Sequence, residues 1–109
     1  MKTSDLIKIA DLKLINKGNN KSINDFYSCD LMSFVLGHDI ADDSCLITII
    51  NSMNVIAVCS LLNYSAIIFP EGVYPKEDVI NKADQENIAL FTSNLSSLKI
   101  YKEILMYED

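Results

Sequence analysis

The side chains of this sequence that could do chemistry stand in three polar groups. They are Thr48 with Asn51, Ser52 and Asn54, then Glu71-Gly72, then Thr92-Ser93-Asn94. Each group follows a short apolar run, and the first and third precede a helical pattern. Hydroxyls, amides and the unpaired N–H groups of a helix start can hold an anion or a carbonyl. The chemistry on offer is therefore recognition by hydrogen bonds. The same residue types also close helix N-termini, so Ser52, Ser93 and Asn94 have capping as their alternative role. Asp30, between a strand and a helix, has the same two roles open to it, with capping preferred.

Covalent and metal chemistry find less support. The one histidine is His38, in a polar loop after Gly37, and the cysteines Cys29, Cys45 and Cys59 are dispersed. That spacing does not make a zinc site. No third group orients a Cys–His pair, and Asp30 with His38 is the best that an enzyme reading could offer. Cys59, on an apolar helix, reads as an inert buried thiol. Asp42-Asp43 reads as a solvated loop. Gly18, Gly37 and Gly72 lie too far apart for a phosphate-cradling loop. No catalytic residue, cofactor or metal is expected.

The elements that must position these residues follow from residues 44–71, SCLITIINSMNVIAVCSLLNYSAIIFPE. Continuous apolar runs mark strands buried on both faces, as in a parallel sheet covered by helices. Strands are expected over 45–50, 66–69 and 88–91, with helices over 53–62, from Pro75 onward, and over 95–107. Pro75 stands just inside its helix, and Glu77 and Asp78 complement the dipole of its first turn. In a sheet of this kind ligands favour the crevice beyond the carboxyl ends of the strands, where the three polar groups fall. The N-terminal half adds a short helix capped by Thr3 or Ser4, strands over 11–17 and 23–29, and a helix over 30–37 with Leu31, Phe34 and Val35 buried. A Gly18-Asn19-Asn20 turn separates the two strands. Sequence leaves open where they join the sheet.

The chain has 109 residues, half of them hydrophobic, which fits one domain over 1–109. Its formal net charge is −6, it has no Arg, and its nine Lys read as scattered. Such a surface repels phosphate backbones and acidic membranes, so no nucleic-acid or membrane partner is expected. The first residues, with Asp5 and Asp11, lack the apolar core of a signal peptide, and apolar runs fall far short of the ~20 residues of a membrane helix. With an odd number of cysteines, reduced thiols and a cytoplasmic location are expected.

The segment over 22–98 resembles a DRTGG domain. The likeness rests on Ser28-Cys29-Asp30-Leu31-Met32-Ser33-Phe34-Val35, on Ile47-Thr48-Ile49-Ile50, on Asn54-Val55-Ile56-Ala57-Val58-Cys59-Ser60-Leu61-Leu62, and on Ala66-Ile67-Ile68-Phe69-Pro70-Glu71-Gly72. A late strand and a helix opened by Thr92-Ser93 complete it. It departs at the loop that names the family, where this chain has Asn20-Lys21-Ser22-Ile23-Asn24-Asp25-Phe26 and no Gly-Gly pair. The resemblance implies a small regulatory α/β domain that serves dimerisation and neighbours nucleotide-sensing modules, similar also to the N-terminal domain of HPr kinase/phosphorylase.

The helix over 53–62 shows little polar face, and the last helix has a wide stripe of Leu98, Ile100, Tyr101, Ile104, Leu105 and Tyr107. So much apolar helix surface in a small chain favours a second copy. The expectation is a non-catalytic regulatory module that acts as a homodimer through contacts with another protein. The alternative is a sensor of a nucleotide or phosphometabolite, using Asp30, Thr48, Asn51, Ser52, Asn54, Glu71, Gly72, Thr92, Ser93 and Asn94.

Overall fold

The computed structural model describes residues 1–38 and 42–108. The elements run α1 (Thr3–Leu6), β1 (Lys13–Leu14), β2 (Asp25–Ser28), α2 (Met32–Gly37), β3 (Ser44–Ile47), α3 (Met53–Leu61), β4 (Ala66–Phe69), α4 (Glu77–Gln85), β5 (Ala89–Thr92) and α5 (Ser97–Glu108). Among the described residues they build a five-stranded sheet in the order β1-β5-β4-β3-β2. The pairs β2–β3, β3–β4 and β4–β5 are parallel, and β1 alone runs antiparallel, with Lys13 opposite Thr92. The expected α/β class with a mainly parallel sheet flanked by helices is what the chain adopts.

The apolar runs of β3 and β4 carry no alternation because both faces are covered: every residue of both strands is buried. On one face Leu46, Ile67, Phe69 and Leu90 pack with residues of α2, α3 and α4. On the other, Cys45, Ile47, Ala66, Ile68, Ala89 and Phe91 pack with Leu6 of α1 and with Ile100 and Ile104 of α5. Successive strand residues point to opposite faces, so one run supplies two cores.

Helices α3 and α4 close in the same way. Asn63 and Asn87 take left-handed φ values of 58° and 57°. Tyr64 N–H then donates to Cys59 C=O and Asn63 N–H to Ser60 C=O, while Ile88 and Asn87 repeat the pattern onto Ala83 and Asp84. These are Schellman closures. Asn tolerates the left-handed position, and the buried residue that follows leads into the next strand.

The strands left unplaced by sequence take the two edges. β1 is only two residues long because Asn16 continues its ladder with a side chain: Nδ2 donates to Ile88 C=O at 2.8 Å and Oδ1 accepts from Leu90 N–H at 3.0 Å. Asn19 Nδ2 then donates to Ser65 and Asn87 carbonyls, which pins the chain beneath the amino ends of β4 and β5. The turn at Gly18 has φ 73° as its composition predicts. The stretch that stands where the DRTGG loop would be, 20–26, leads from this strap into β2.

Several boundaries and phases differ from expectation. β3 ends at Ile47, α4 starts two residues after Pro75, and α5 starts at Ser97. Lys2 takes the N-cap position of α1, and its N–H donates to Asp5 Oδ2, so neither Thr3 nor Ser4 caps that helix. α2 buries Met32 and Val35, leaving Leu31 and Phe34 each 60% exposed. In a six-residue helix whose only polar side chain is Ser33 the sequence sets the phase weakly, so packing decides it. Part of the polar loop expected over 38–43 lies outside the described residues.

Candidate functional site

The parallel strands deliver the candidate residues to one edge of the sheet, and most of them are occupied in tying its loops together. After β3, Thr48 is fully buried. Its Oγ1 donates to Asp30 Oδ1 at 2.9 Å and accepts from Ile50 N–H at 3.2 Å. The same Asp30 oxygen accepts from Ile49 N–H at 2.9 Å. Asp30 is therefore a clasp between the ends of β2 and β3. The expected cap of α2 is not formed: Leu31 occupies the N-cap position.

Asn51 donates from Nδ2 to Tyr74 C=O, which ties the loop before α3 to the loop before α4. Ser52 occupies the N-cap position of α3 without a side-chain bond. Ser52 and Asn54 are both exposed at the start of that helix. Asn51, Ser52 and Met53 face Lys76, Asp78 and Val79 across a cleft of ≈ 310 Å³ between the starts of α3 and α4.

After β4, Glu71 and Gly72 take φ values of 62° and 74°, and Val73 N–H donates to Pro70 C=O. Two consecutive positive φ values define a type I′ turn. Gly72 suits it, and Glu71 bears the strain. The Cβ that Gly72 lacks would stand 3.3 Å from Asn94 Oδ1. Thr92 Oγ1 donates to Val73 C=O at 2.7 Å, and Gly72 N–H to Ser93 C=O. Ser93 Oγ accepts from Leu95 N–H, so neither Ser93 nor Asn94 caps α5. That role falls to Ser96, whose Oγ accepts from Lys99 N–H. In a run reading Thr92-Ser93-Asn94-Leu95-Ser96-Ser97 nearly every residue is a cap type, so sequence does not choose among them.

The structure thus joins Asp30 to Thr48, joins the Glu71-Gly72 turn to Thr92-Ser93-Asn94, and sets Asn51 and Ser52 at a separate cleft. What this edge can offer a ligand includes backbone N–H groups, the exposed Ser52, Asn54 and Asn94, and the ammoniums of Lys76 and of Lys13, which shares a cleft with Thr92, Ser93 and Asn94. The hydroxyl that it sets against a carboxylate, Thr48 on Asp30, is fully buried and so is not presented to a substrate. Burial raises the thiol of Cys59 to about 12 and places that of Cys45 well above the ordinary range, so both stay protonated at neutral pH. His38 stacks on Tyr27 with ring centroids 4.2 Å apart, at the opposite end of α2 from Asp30. Among the described residues no cluster of His, Cys, Asp and Glu could hold a metal ion.

Two surface features escaped the sequence reading. One is the outer side of α2, where Leu31, Phe34 and His38 recur at helical spacing beside Tyr27. The other is a cleft of ≈ 160 Å³ between β2 and α5, lined by Phe26, Ser28, Ile47, Leu98 and Tyr101 among others. The Phe26 and Tyr101 rings meet edge to face there at 5.8 Å.

No protein-family model and no curated protein matches the chain. Among solved structures it is similar to the crystal structure of the CBS and DRTGG domains of the regulatory region of Clostridium perfringens pyrophosphatase, complexed with the activator diadenosine tetraphosphate. The TM-score is 0.70 at 17% identity, over 95% of this chain and 46% of that one. The fold is DRTGG-like. The chain spans a little under half the length of the chain it matches. No helix among its described residues is long and apolar enough to cross a membrane.

Proposed function

We propose that this chain is a single-domain, non-catalytic regulatory module of the cytoplasm that works as a homodimer and acts on another protein by contact. The observation that carries this reading is the outer face of α5. Leu98, Tyr101 and Leu105 stand three and four residues apart, in one row, and are 85%, 41% and 47% exposed. The row is continuous with Phe26 through the edge-to-face ring contact. Monomers rarely show a contiguous apolar surface beyond a few hundred Å², and this row supplies the apolar centre of an interface of about 800 Å² per partner. A twofold contact buries this row.

The likeness to a pyrophosphatase regulatory region supports a regulatory role, and the tied loops described above leave no reacting pair of groups. Sedimentation velocity across a concentration series tests the reading. A species of twice the 12.2 kDa chain mass at tens of micromolar is expected. A strict monomer there overturns it.

A second reading, a nucleotide or phosphometabolite sensor, is favoured by one observation: the cleft where Asn51, Ser52 and Lys76 meet at the starts of α3 and α4. Both helix starts turn N–H groups toward an anion. The activator bound in the similar structure is itself a nucleotide. A thermal shift of several degrees with saturating adenine nucleotide is expected on this reading. No shift across a nucleotide panel leaves only the first.

A further inference from the structure

The nine lysines that read as scattered along the chain are segregated. They fall at residues 2–21 and 76–102, and no Lys or Arg occurs from Ser22 to Pro75. That basic-free stretch supplies β2, α2, β3, α3 and β4 and ends at edge strand β2, while α5, with Lys99 and Lys102, meets Phe26 of β2 on the opposite face of the sheet from α2 and α3. α3 packs between α2 and α4, so Lys82 of α4 and Lys76 at its N-cap lie beyond it.

Within this stretch the outer flank of α2 is apolar and aromatic. Leu31, Phe34 and His38 follow one another at three- and four-residue spacing, and the first two are 60% exposed. His38 lies flat on Tyr27 of β2, with an interplanar angle of 5°, and its ring stands 6.5 Å from that of Phe34. The rings form one short stack from the sheet edge to the helix. Acidic residues bracket it. Asp30 is exposed at the carboxyl end of β2 and Asp25 at the amino end, on the same face of the strand as Tyr27. Asp42 is brought beside Asp25, because its carbonyl accepts from Asn24 Nδ2 and the next carbonyl, of Asp43, accepts from Asn24 N–H.

Resting on the reading of this chain as a protein-contact module, we infer that the α2 flank is its docking surface for a different protein, and that the docked element is a basic amphipathic segment. Leu31 and Phe34 receive its apolar side, and Asp25, Asp30 and Asp42 meet its Lys or Arg residues. Charge decides the occupant. A second copy brought to this flank by a twofold axis would lay the patch on itself, acid against acid, with no basic residue in the whole stretch to relieve it. An anionic membrane is repelled for the same reason. The α5 side, which carries Lys99 and Lys102 among its apolar residues, has no such bar to self-contact.

The probe is a 16-residue amidated peptide of Leu and Lys in helical amphipathic order (the length is about four turns), with a Leu–Glu peptide as control. Each is titrated into the isotope-labelled full chain and followed by amide shifts. Shift changes centred on Tyr27, Leu31, Phe34 and Asp42 are expected, weakening as salt is raised and lacking with the Leu–Glu peptide. Phe34→Ser and Asp42→Lys, both at exposed positions, are each expected to weaken binding at least tenfold while leaving the remaining spectrum in place. Shifts spread evenly over acidic surface, shifts centred on α5, or unchanged affinity in both variants overturns the inference. Sedimentation of the same samples keeps the two proposals apart: a monomer that still binds the peptide at α2 removes the homodimer and leaves the docking surface standing.

Discussion

Asp30 and Thr48 are eighteen residues apart, and Asp30 Oδ1 accepts the hydroxyl of Thr48 at 2.9 Å across the ends of two neighbouring parallel strands. Because Thr48 is fully buried, its hydroxyl has no water to turn to. The carboxylate also takes Ile49 N–H, so a single side chain sets the course of the chain out of β3.

Removing that carboxylate therefore costs more than a helix cap would. Asp30→Ala leaves a buried hydroxyl and a backbone N–H without their acceptor and is expected to lower stability by about 2–3 kcal/mol in urea unfolding. Asp30→Asn keeps an acceptor oxygen and is expected to cost under about 1.5 kcal/mol. Equal losses from the two variants would show that the charge, and not the acceptor, holds the clasp.

The matched closures of α3 and α4 give a second test. Asn63 and Asn87 stand at φ near 58°, where a β-branched residue is strained by roughly 1–2 kcal/mol. Asn63→Val and Asn87→Val should each lose about that much, and the Gly variants should match or slightly exceed the parent in the same unfolding assay. A Gly variant that unfolds as readily as the Val variant would mean that the Asn side chains, rather than the backbone shape, are what matter.

How far the sequence was legible follows from where its signals were local. β4 falls on residues 66–69 as its apolar run predicts, since a strand buried on both faces writes its burial into every position. The turn at Gly18-Asn19-Asn20 is legible for the same reason: its cause lies within three residues. Asp30 reads as a cap because its true partner stands just past the end of the neighbouring strand, and nothing near Asp30 in sequence announces Thr48. The phase of α2 was hidden because Leu31, Met32, Phe34, Val35 and Leu36 surround the helix, and only packing chooses Met32 and Val35 for the interior. β1 escaped placement because its ladder is finished by the amide of Asn16, a contact over 72 residues to Ile88. The candidate edge was located from the strand ends, but which of its hydroxyls stay free depended on these same long-range bonds.

Stability is expected to fall in alkali through the buried thiols. Burial raises Cys59 from 9.0 to about 12, and Cys45 and the Tyr64 hydroxyl also lie above their ordinary values, chiefly from burial. Among the described residues Tyr64 Oη has no hydrogen-bond partner to offset its desolvation. Folded thiols keep protons that the unfolded chain gives up. Their contribution is complete below about pH 9 and is lost as pH rises from there toward 12. The urea midpoint should fall between about pH 8 and pH 11, with a shallower fall in Cys59→Ala, which has one such group fewer. Parallel slopes in the two proteins would mean that Cys59 ionises alike in both states.

The outer face of α5 offers the sharpest separation of assembly from folding. Leu98 is 85% exposed and Leu105 47%, while Ile100 and Ile104 on the same helix are fully buried. Leu98→Glu and Leu105→Glu change the row without reaching the core, so each should leave the unfolding midpoint at matched low concentration within about 0.5 kcal/mol of the parent. Placed on a twofold contact, each carboxylate would meet its own copy, or apolar surface that cannot solvate it. The double variant is therefore expected to sediment as a monomer at concentrations where the parent is dimeric. Ile104→Ala makes the opposite prediction: it opens a cavity in the core that Ile104 shares with Phe91 and Ile68, costs about 2–5 kcal/mol, and alters assembly only through unfolding. A double Glu variant that stays dimeric would move the interface away from α5.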